Sequence, residues 1–237
     1  MANSYFQFKQ FRIDQADVAM KVTTDACLFG AWIASLSLRP QRILDIGTGT
    51  GLLSLMMAQQ YIDARLTALE IESSAVAKAN LNFAHSPWSS RLTLHHERLQ
   101  HFNNDQKYDL IISNPPFFTN SQKARKASQN LAWHAEALNQ QDLIAGIKSN
   151  LTSDGMAFVI YPASEMQLFC KEAASNQLYA HRIVDVFDRP NSSVLRTMVC
   201  FGFKQTETLK ESIVIKTDQG EYSEQFLNLL RPYYLHL

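Results

Sequence analysis

Covalent or metal cross-linking has little to work with in this sequence. Three cysteines, Cys27, Cys170 and Cys200, are odd in number and far apart, and no Cys-x-x-Cys pair occurs. That argues against a disulfide framework and a structural zinc site, and the three read as buried thiols in a reducing compartment. His95, His96 and His101 lack a carboxylate or cysteine at ligand spacing, so they read as strand-end and loop residues and no metal is expected. An excess of charge is also missing: Lys plus Arg and Asp plus Glu number 22 each. A nucleic acid would therefore have to be held by a local basic patch. The most apolar stretch, Ala26 to Leu38, is short and broken by serines, too short to span a bilayer. The opening MANSYFQFKQ has no signal-peptide core, which makes a cytoplasmic location the expectation. No repeat, low-complexity tract or long linker divides the chain, and nothing points to an obligate protein partner.

What is present is the composition of a globular protein, 46% apolar and 19% charged. A single domain over 1–237 is expected, with 1–40 as an N-terminal extension. Short β-branched runs alternate with helical patterns. Strands are predicted at Arg42–Ile46, Arg65–Glu70, Arg91–His95, Tyr108–Ser113, Met156–Tyr161, His181–Phe187 and Val194–Phe203. Helices are predicted at Leu52–Gln60, at Ser73–Ala84 with Ser73 or Ser74 as cap, from Asn139 with Asp142 as its capping partner, and after Pro162. Thr152–Gly155 reads as a turn. This order implies an α/β fold: a mostly parallel seven-stranded sheet with helices on both faces. The last two strands have no helix between them, so they should pair antiparallel and add one antiparallel strand towards the edge. Ligands of such sheets bind at the carboxyl ends of the strands.

The run Asp45-Ile46-Gly47-Thr48-Gly49-Thr50-Gly51 joins the first of these strands to a helix. Its alternating glycines admit positive φ and close approach of a ligand to the backbone. A dinucleotide fingerprint, GxGxxG, would need glycine at position 52, where Leu52 stands. Glu70, ending the next strand, can accept both hydroxyls of a ribose. A glycine turn and a ribose-binding acid without a phosphate grip suit a nucleoside such as S-adenosylmethionine. Asp45 could hold a cationic part of it. The bland alternative is a tight turn with an incidental strand-end glutamate.

Asn114-Pro115-Pro116-Phe117 follows the fourth strand and so faces the same crevice. As a plain solvent turn it would leave the Phe117-Phe118 pair unexplained. The chemical reading is more specific. An amine conjugated to a ring or carbonyl is a poor nucleophile, because its lone pair is delocalised. The Asn114 side-chain oxygen and the Pro115 carbonyl could accept its two hydrogens, draw the nitrogen towards tetrahedral geometry and aim its lone pair. Pro116 and its neighbour stiffen that backbone. Phe117 can stack on a planar substrate. Downstream, Lys123-Ala124-Arg125-Lys126 is the one dense basic cluster. Lys123, Arg125 and Lys126 could grip phosphates of an RNA, or form a solvated helix face.

Together these motifs resemble the class I amino-methyltransferases, in which NPPF or NPPY is shared by adenine-N6, guanine-N2 and protein-glutamine enzymes. A narrower resemblance is to the bacterial tRNA(Val) adenine-N6 methyltransferases. It is carried by Phe6-Gln7-Phe8-Lys9-Gln10-Phe11, Ala19–Asp25, Gly30-Ala31-Trp32, the glycine turn, SNPPFF, and at the end Ser212–Ile215, Gly220–Ser223 and Pro232–Leu235. The resemblance implies a Rossmann-like class I fold, S-adenosylmethionine as cofactor and methylation of N6 of an adenine beside the anticodon of tRNA. It also puts the extension near the cofactor's methionine end, with Thr24 as the contact. Read without the family, Lys21–Asp25 is an amphipathic segment capped by Thr24 or Asp25. Related enzymes place an Asp after the third strand to hold the cofactor's adenine; here that position carries Arg98, and Glu97 substitutes if the register shifts by one. The same chemistry on ribosomal guanine or protein glutamine, and an RNA-binding module without catalysis, are the competing readings.

Overall fold

A computed structural model describes residues 4–18, 20–116 and 138–237. Two short strands, β1 (Tyr5–Gln7) and β2 (Arg12–Asp14), pair antiparallel ahead of helix α1 (Thr24–Ser35). Then follow β3 (Arg42–Ile46), α2 (Leu52–Gln60), β4 (Arg65–Glu70), α3 (Ser73–Ala84), β5 (Leu92–His96) and β6 (Tyr108–Ser113). The second half holds α4 (Gln140–Asn150), β7 (Leu151–Tyr161), α5 (Ala163–Ser175), β8 (Tyr179–Phe187), β9 (Val194–Gly202), β10 (Leu209–Val214) and α6 (Glu224–Leu230).

One sheet runs in the order β10-β8-β9-β7-β6-β3-β4-β5. All its neighbours are parallel except where β9 meets β7 and β8. The predicted mostly parallel α/β sheet is therefore present, with two differences. The antiparallel strand lies inside the sheet, wedged between β7 and β8, because β9 is apolar enough to be buried over Thr197–Gly202. An eighth strand, β10, then closes the edge; its Lys210 and Glu211 suit a strand exposed on one side.

Most predicted elements fall at the expected residues, and the departures have local causes. The cap of α3 is Glu72, whose carboxylate accepts the Ser74 and Ala75 N–H groups, so neither serine serves. Thr23 caps α1 by accepting from Ala26 N, one residue ahead of the expected Thr24 or Asp25. β7 begins at Leu151 rather than Met156. Its register jumps from Tyr108↔Leu151 to Leu110↔Met156, so the turn expected at Thr152–Gly155 survives as a bulge within one strand. Asn139 does cap α4, accepting from Asp142 N while its amide donates to the Asp142 carboxylate.

Helices α1 and α2 lack a polar face because they lie against each other and the sheet; Ala26–Ala34 and Leu52–Ala58 are buried throughout. The chain ends close over them. Lys9 N donates to Tyr233 O at 2.8 Å, Lys9 Nζ to Arg231 O at 2.7 Å, and the Phe6 and Tyr234 rings meet at 5.6 Å. Cys27 and Cys200 are buried, and burial pushes both thiols up to about 12. None of the described helices is long and apolar enough to cross a membrane.

The exit from α2 depends on a distant side chain. The Arg91 guanidinium donates to Ala58 O at 2.8 Å, Tyr61 O at 3.1 Å and Ala64 O at 2.6 Å, which satisfies carbonyls at the end of α2 and in the turn that leads to β4. Arg91→Ala is expected to lower unfolding free energy by ~1–3 kcal/mol, read from a denaturant midpoint. An unchanged midpoint would mean that water satisfies those carbonyls equally well.

Candidate active site

The carboxyl ends of β3, β4, β5 and β6 open on one cavity of about 390 Å³. Gly47 and Gly49 form one wall, Glu70, Ile71 and Glu72 a second, Glu97 to Gln100 a third, and Asn114 with Pro116 a fourth. Met20 reaches it from the N-terminal segment and Leu138 from the approach to α4.

The glycine wall is stitched to its neighbours. Leu69 O accepts both the Gly47 and Thr48 N–H groups, at 2.9 and 3.0 Å. Gly47, Gly49 and Gly51 all have positive φ, at 71°, 58° and 86°. A Cβ on Gly47 or Gly49 would meet nothing within 4 Å, so space is open where a ligand would lie against the backbone. Gly51 is different: a Cβ there would sit 2.5 Å from the Phe83 ring, so this glycine answers to packing against α3.

Asp45 lies beneath the turn, fully buried. Its Oδ2 accepts from the Thr48 hydroxyl at 2.6 Å, the Ser54 hydroxyl at 2.7 Å and the Ser54 N–H at 3.1 Å. Oδ1 has no hydrogen-bond partner among the described residues. Burial pushes the carboxyl up to about 6, against the lowering effect of the Thr48 and Ser54 bonds. Thr48 thus braces Asp45, and neither lines the cavity.

Glu70 does line it, but its carboxylate is already engaged. Oε2 accepts Gly49 N at 2.8 Å; Oε1 accepts Ile71 N at 2.8 Å and Glu72 N at 2.9 Å. A carboxylate offers about four acceptor positions, so room remains for one further hydroxyl where the sequence suggested two. The Glu97 N–H donates to Glu70 O at 3.0 Å, which sets the turn after β5 so that Glu97 and Arg98 both face the cavity.

Asn114 is half-buried and lines the cavity, Pro115 is buried behind it, and Pro116 is exposed at the rim. The Ser113 hydroxyl donates to Ile46 O at 2.9 Å, fixing the end of β6 to the end of β3 and so the Asn114 strand end to the glycine turn. Thr24 is exposed at the start of α1 and does not line the cavity; from its segment Met20 does. Phe117, Lys123, Arg125 and Lys126 lie outside the described residues.

Sequence reasoning missed the apolar walls, Ile71 and Leu99 above all, and the polar Gln100. One signal was available for Ile71: a large apolar residue, here 42% exposed, directly after the strand-end acid. Gln100 was not legible, since its orientation comes from a bond to Asp142 on α4 at 2.8 Å.

Comparison with known proteins agrees with this geometry. The family described as methyltransferase small domain matches residues 31–161. A tRNA1(Val) (adenine(37)-N6)-methyltransferase from Christiangramia forsetii is 39% identical over the whole of both chains. One so named from Pseudoalteromonas translucida is 36% identical, over 99% of this chain and all of its own. Among solved structures, a predicted O-methyltransferase from Agrobacterium tumefaciens superposes with a TM-score of 0.67 at 15% identity, covering 87% of this chain and 95% of its own. A glycopeptide N-methyltransferase solved with S-adenosylmethionine gives 0.56 at 13% identity, over 76% and 94%. These last two speak to the fold.

The two glycine types separate experimentally. Gly51→Ala combines left-handed strain with the Phe83 clash and should cost ~2–4 kcal/mol of stability in a denaturant melt. Gly49→Ala carries the strain alone, about 1 kcal/mol, yet puts a methyl into the cavity and should weaken S-adenosylmethionine binding by about tenfold or more. Equal effects of the two substitutions on both measurements would remove the distinction.

Proposed function

Because the chain belongs to the family of tRNA1(Val) (adenine(37)-N6)-methyltransferases, we propose that it transfers a methyl group from S-adenosylmethionine to the exocyclic N6 amine of the adenine beside the anticodon of tRNA(Val). The observation that carries this reading is the meeting of Asn114 and Pro116 with the Gly47–Gly49 turn and Glu70 on one cavity. The whole chain acts as one methyltransferase domain, with residues 1–40 as an extension beside the cofactor site, and it works where tRNA is, in the cytoplasm.

The cavity's residues fit the cofactor. A volume of about 390 Å³ suits a nucleoside. The open space over Gly47 and Gly49 admits a ligand against bare backbone, and Asp45, buried beneath the turn, places negative charge behind it. Glu70 would hold a ribose hydroxyl, Glu97 the adenine amine and Ile71 the flat face of that ring. Asp45, Thr48 and Gly51 set the turn, and the Asp45 charge balances the amino-acid cation. Met20 and the start of α1 at Thr24 bound the methionine end. When bound, the cofactor supplies an electrophilic methyl on a sulfonium.

Everything else is done by the chain. Asn114 Oδ1 and the Pro115 carbonyl accept the two N6 hydrogens and withdraw the lone pair from the purine ring, aiming it at the methyl. The amine proton becomes acidic as the nitrogen gains its fourth bond, so no strong base is needed. Phe117 stacks the extruded base, and Pro115 with Pro116 keeps the acceptors in place. Lys123, Arg125 and Lys126 hold flanking phosphates.

The direct test supplies radiolabelled S-adenosylmethionine with total tRNA from a strain lacking the enzyme, followed by nucleoside analysis. Label should appear as N6-methyladenosine; label confined to ribosomal RNA or protein overturns the substrate. Asn114→Ala should lower kcat by about 10²–10³ while cofactor affinity is nearly unchanged, and surviving turnover would remove the amine-acceptor mechanism. The pH dependence has a defined sign. With a folded-state value raised to about 6 from 3.8, Asp45 contributes stability to the ligand-free protein that is full below 3.8 and lost as pH rises through 6. A cationic ligand favours the ionised carboxylate, so affinity should be full above about pH 6 and fall by about tenfold between pH 7 and pH 5. Calorimetry across that range checks it, and Asp45→Asn should flatten the profile.

A further inference from the structure

Asn82 is a buried polar side chain on α3, 3% exposed, and none of the motifs above includes it. Its amide nitrogen donates to Thr50 O at 2.9 Å and to Asp14 O at 3.1 Å, and its oxygen accepts the Asp14 N–H at 2.8 Å. One side chain thus binds the glycine turn, through a residue that lines the cavity, to the end of strand β2 in the N-terminal extension. Two further bonds carry the tie forward along the chain. Lys78, one turn before Asn82 on α3, pairs with the Asp14 carboxylate at 2.9 Å. The buried Gln15, next in sequence, accepts the Val22 N–H through its Oε1 at 2.8 Å.

Val22 lies two residues beyond Met20. Met20 is 56% exposed and lines the cavity, so the wall it forms is not held by burial of its own. Its position comes instead from the anchored backbone on either side. We propose that Asn82 is a positioning residue which, with Gln15, holds the N-terminal segment over the cofactor cavity so that Met20 forms one of its walls. A buried amide with three short bonds to backbone suits this role, because its alternatives are all costly: leaving two carbonyls and one N–H unpaired, or admitting water. The inference rests on the reading of the cavity as the S-adenosylmethionine site.

The test is calorimetric binding of S-adenosylmethionine to the full chain, without tRNA, together with kcat at saturating cofactor. Asn82→Leu keeps the branched shape and removes all three bonds; it should raise Kd by about tenfold, equal to about 1.4 kcal/mol, with kcat held within about twofold. Because this variant also loses buried hydrogen bonds that stabilise the fold, Met20→Ala serves beside it. Met20 is exposed, so its replacement should leave the thermal midpoint unchanged and still weaken binding. In the double variant the two losses should be less than additive, since both act through one wall. Met20→Ala binding as tightly as the parent, or Asn82→Leu losing kcat with Kd unchanged, overturns the assignment. A parent protein that binds no S-adenosylmethionine would instead overturn the reading of the cavity.

Discussion

One carboxylate taken out of water underlies the site. Asp45 ends β3, fully buried, with Oδ2 committed to the Thr48 hydroxyl and to the hydroxyl and N–H of Ser54. Those bonds reach from the strand, across the turn, to the first turn of α2. They fix a loop of three positive-φ glycines that has little side-chain packing to fix it otherwise. The arrangement is costly, since burial raises the carboxyl to about 6 and Oδ1 has no hydrogen-bond partner among the described residues.

The sheet then divides the labour. The cavity wall is built from the ends of β3, β4 and β5, with bonds running from turn to turn: Gly47 and Thr48 to Leu69, Gly49 to Glu70, Glu97 to Glu70. β6 is next to β3, so Asn114 completes the wall of that cavity on the side of β3 away from β4. Beyond it lie β7, β9, β8 and β10.

Elements with strong local patterns were legible along the chain. β3, α2, β4, α3 and β6 begin and end at the predicted residues, because each is an apolar run closed by glycine, proline or a polar turn. Failures occurred where a neighbouring side chain competes or a non-local partner decides. Glu72 takes the cap of α3 from Ser73 because its longer side chain can fold back on two N–H groups at once. β9 reads as a strand towards the edge in sequence, yet it is interior because it pairs with β7 on one side and β8 on the other. At the site, Gly47, Gly49, Glu70 and Asn114 were named from motif and spacing, and Glu97 from the resemblance. Met20, Gln100 and Leu138 were not, since they come from segments that meet the cavity only after folding.

By itself, then, the sequence determined the alternation that makes a parallel sheet, the glycine turn whose Leu52 departs from a dinucleotide fingerprint, and the Asn114-Pro115 pair at a strand end. Each is local: a few neighbouring residues dictate backbone conformation or chemistry without help from the rest of the chain. Only the tertiary structure decided that Gly51 serves Phe83 rather than a ligand. It alone showed that three backbone N–H groups already occupy Glu70 and that Asn82 ties the extension to the glycine turn. Apart from the two N–H groups next to Glu70, those depend on atoms 21 to 68 residues apart being brought within bonding distance or van der Waals contact, and on how many lone pairs remain once they are.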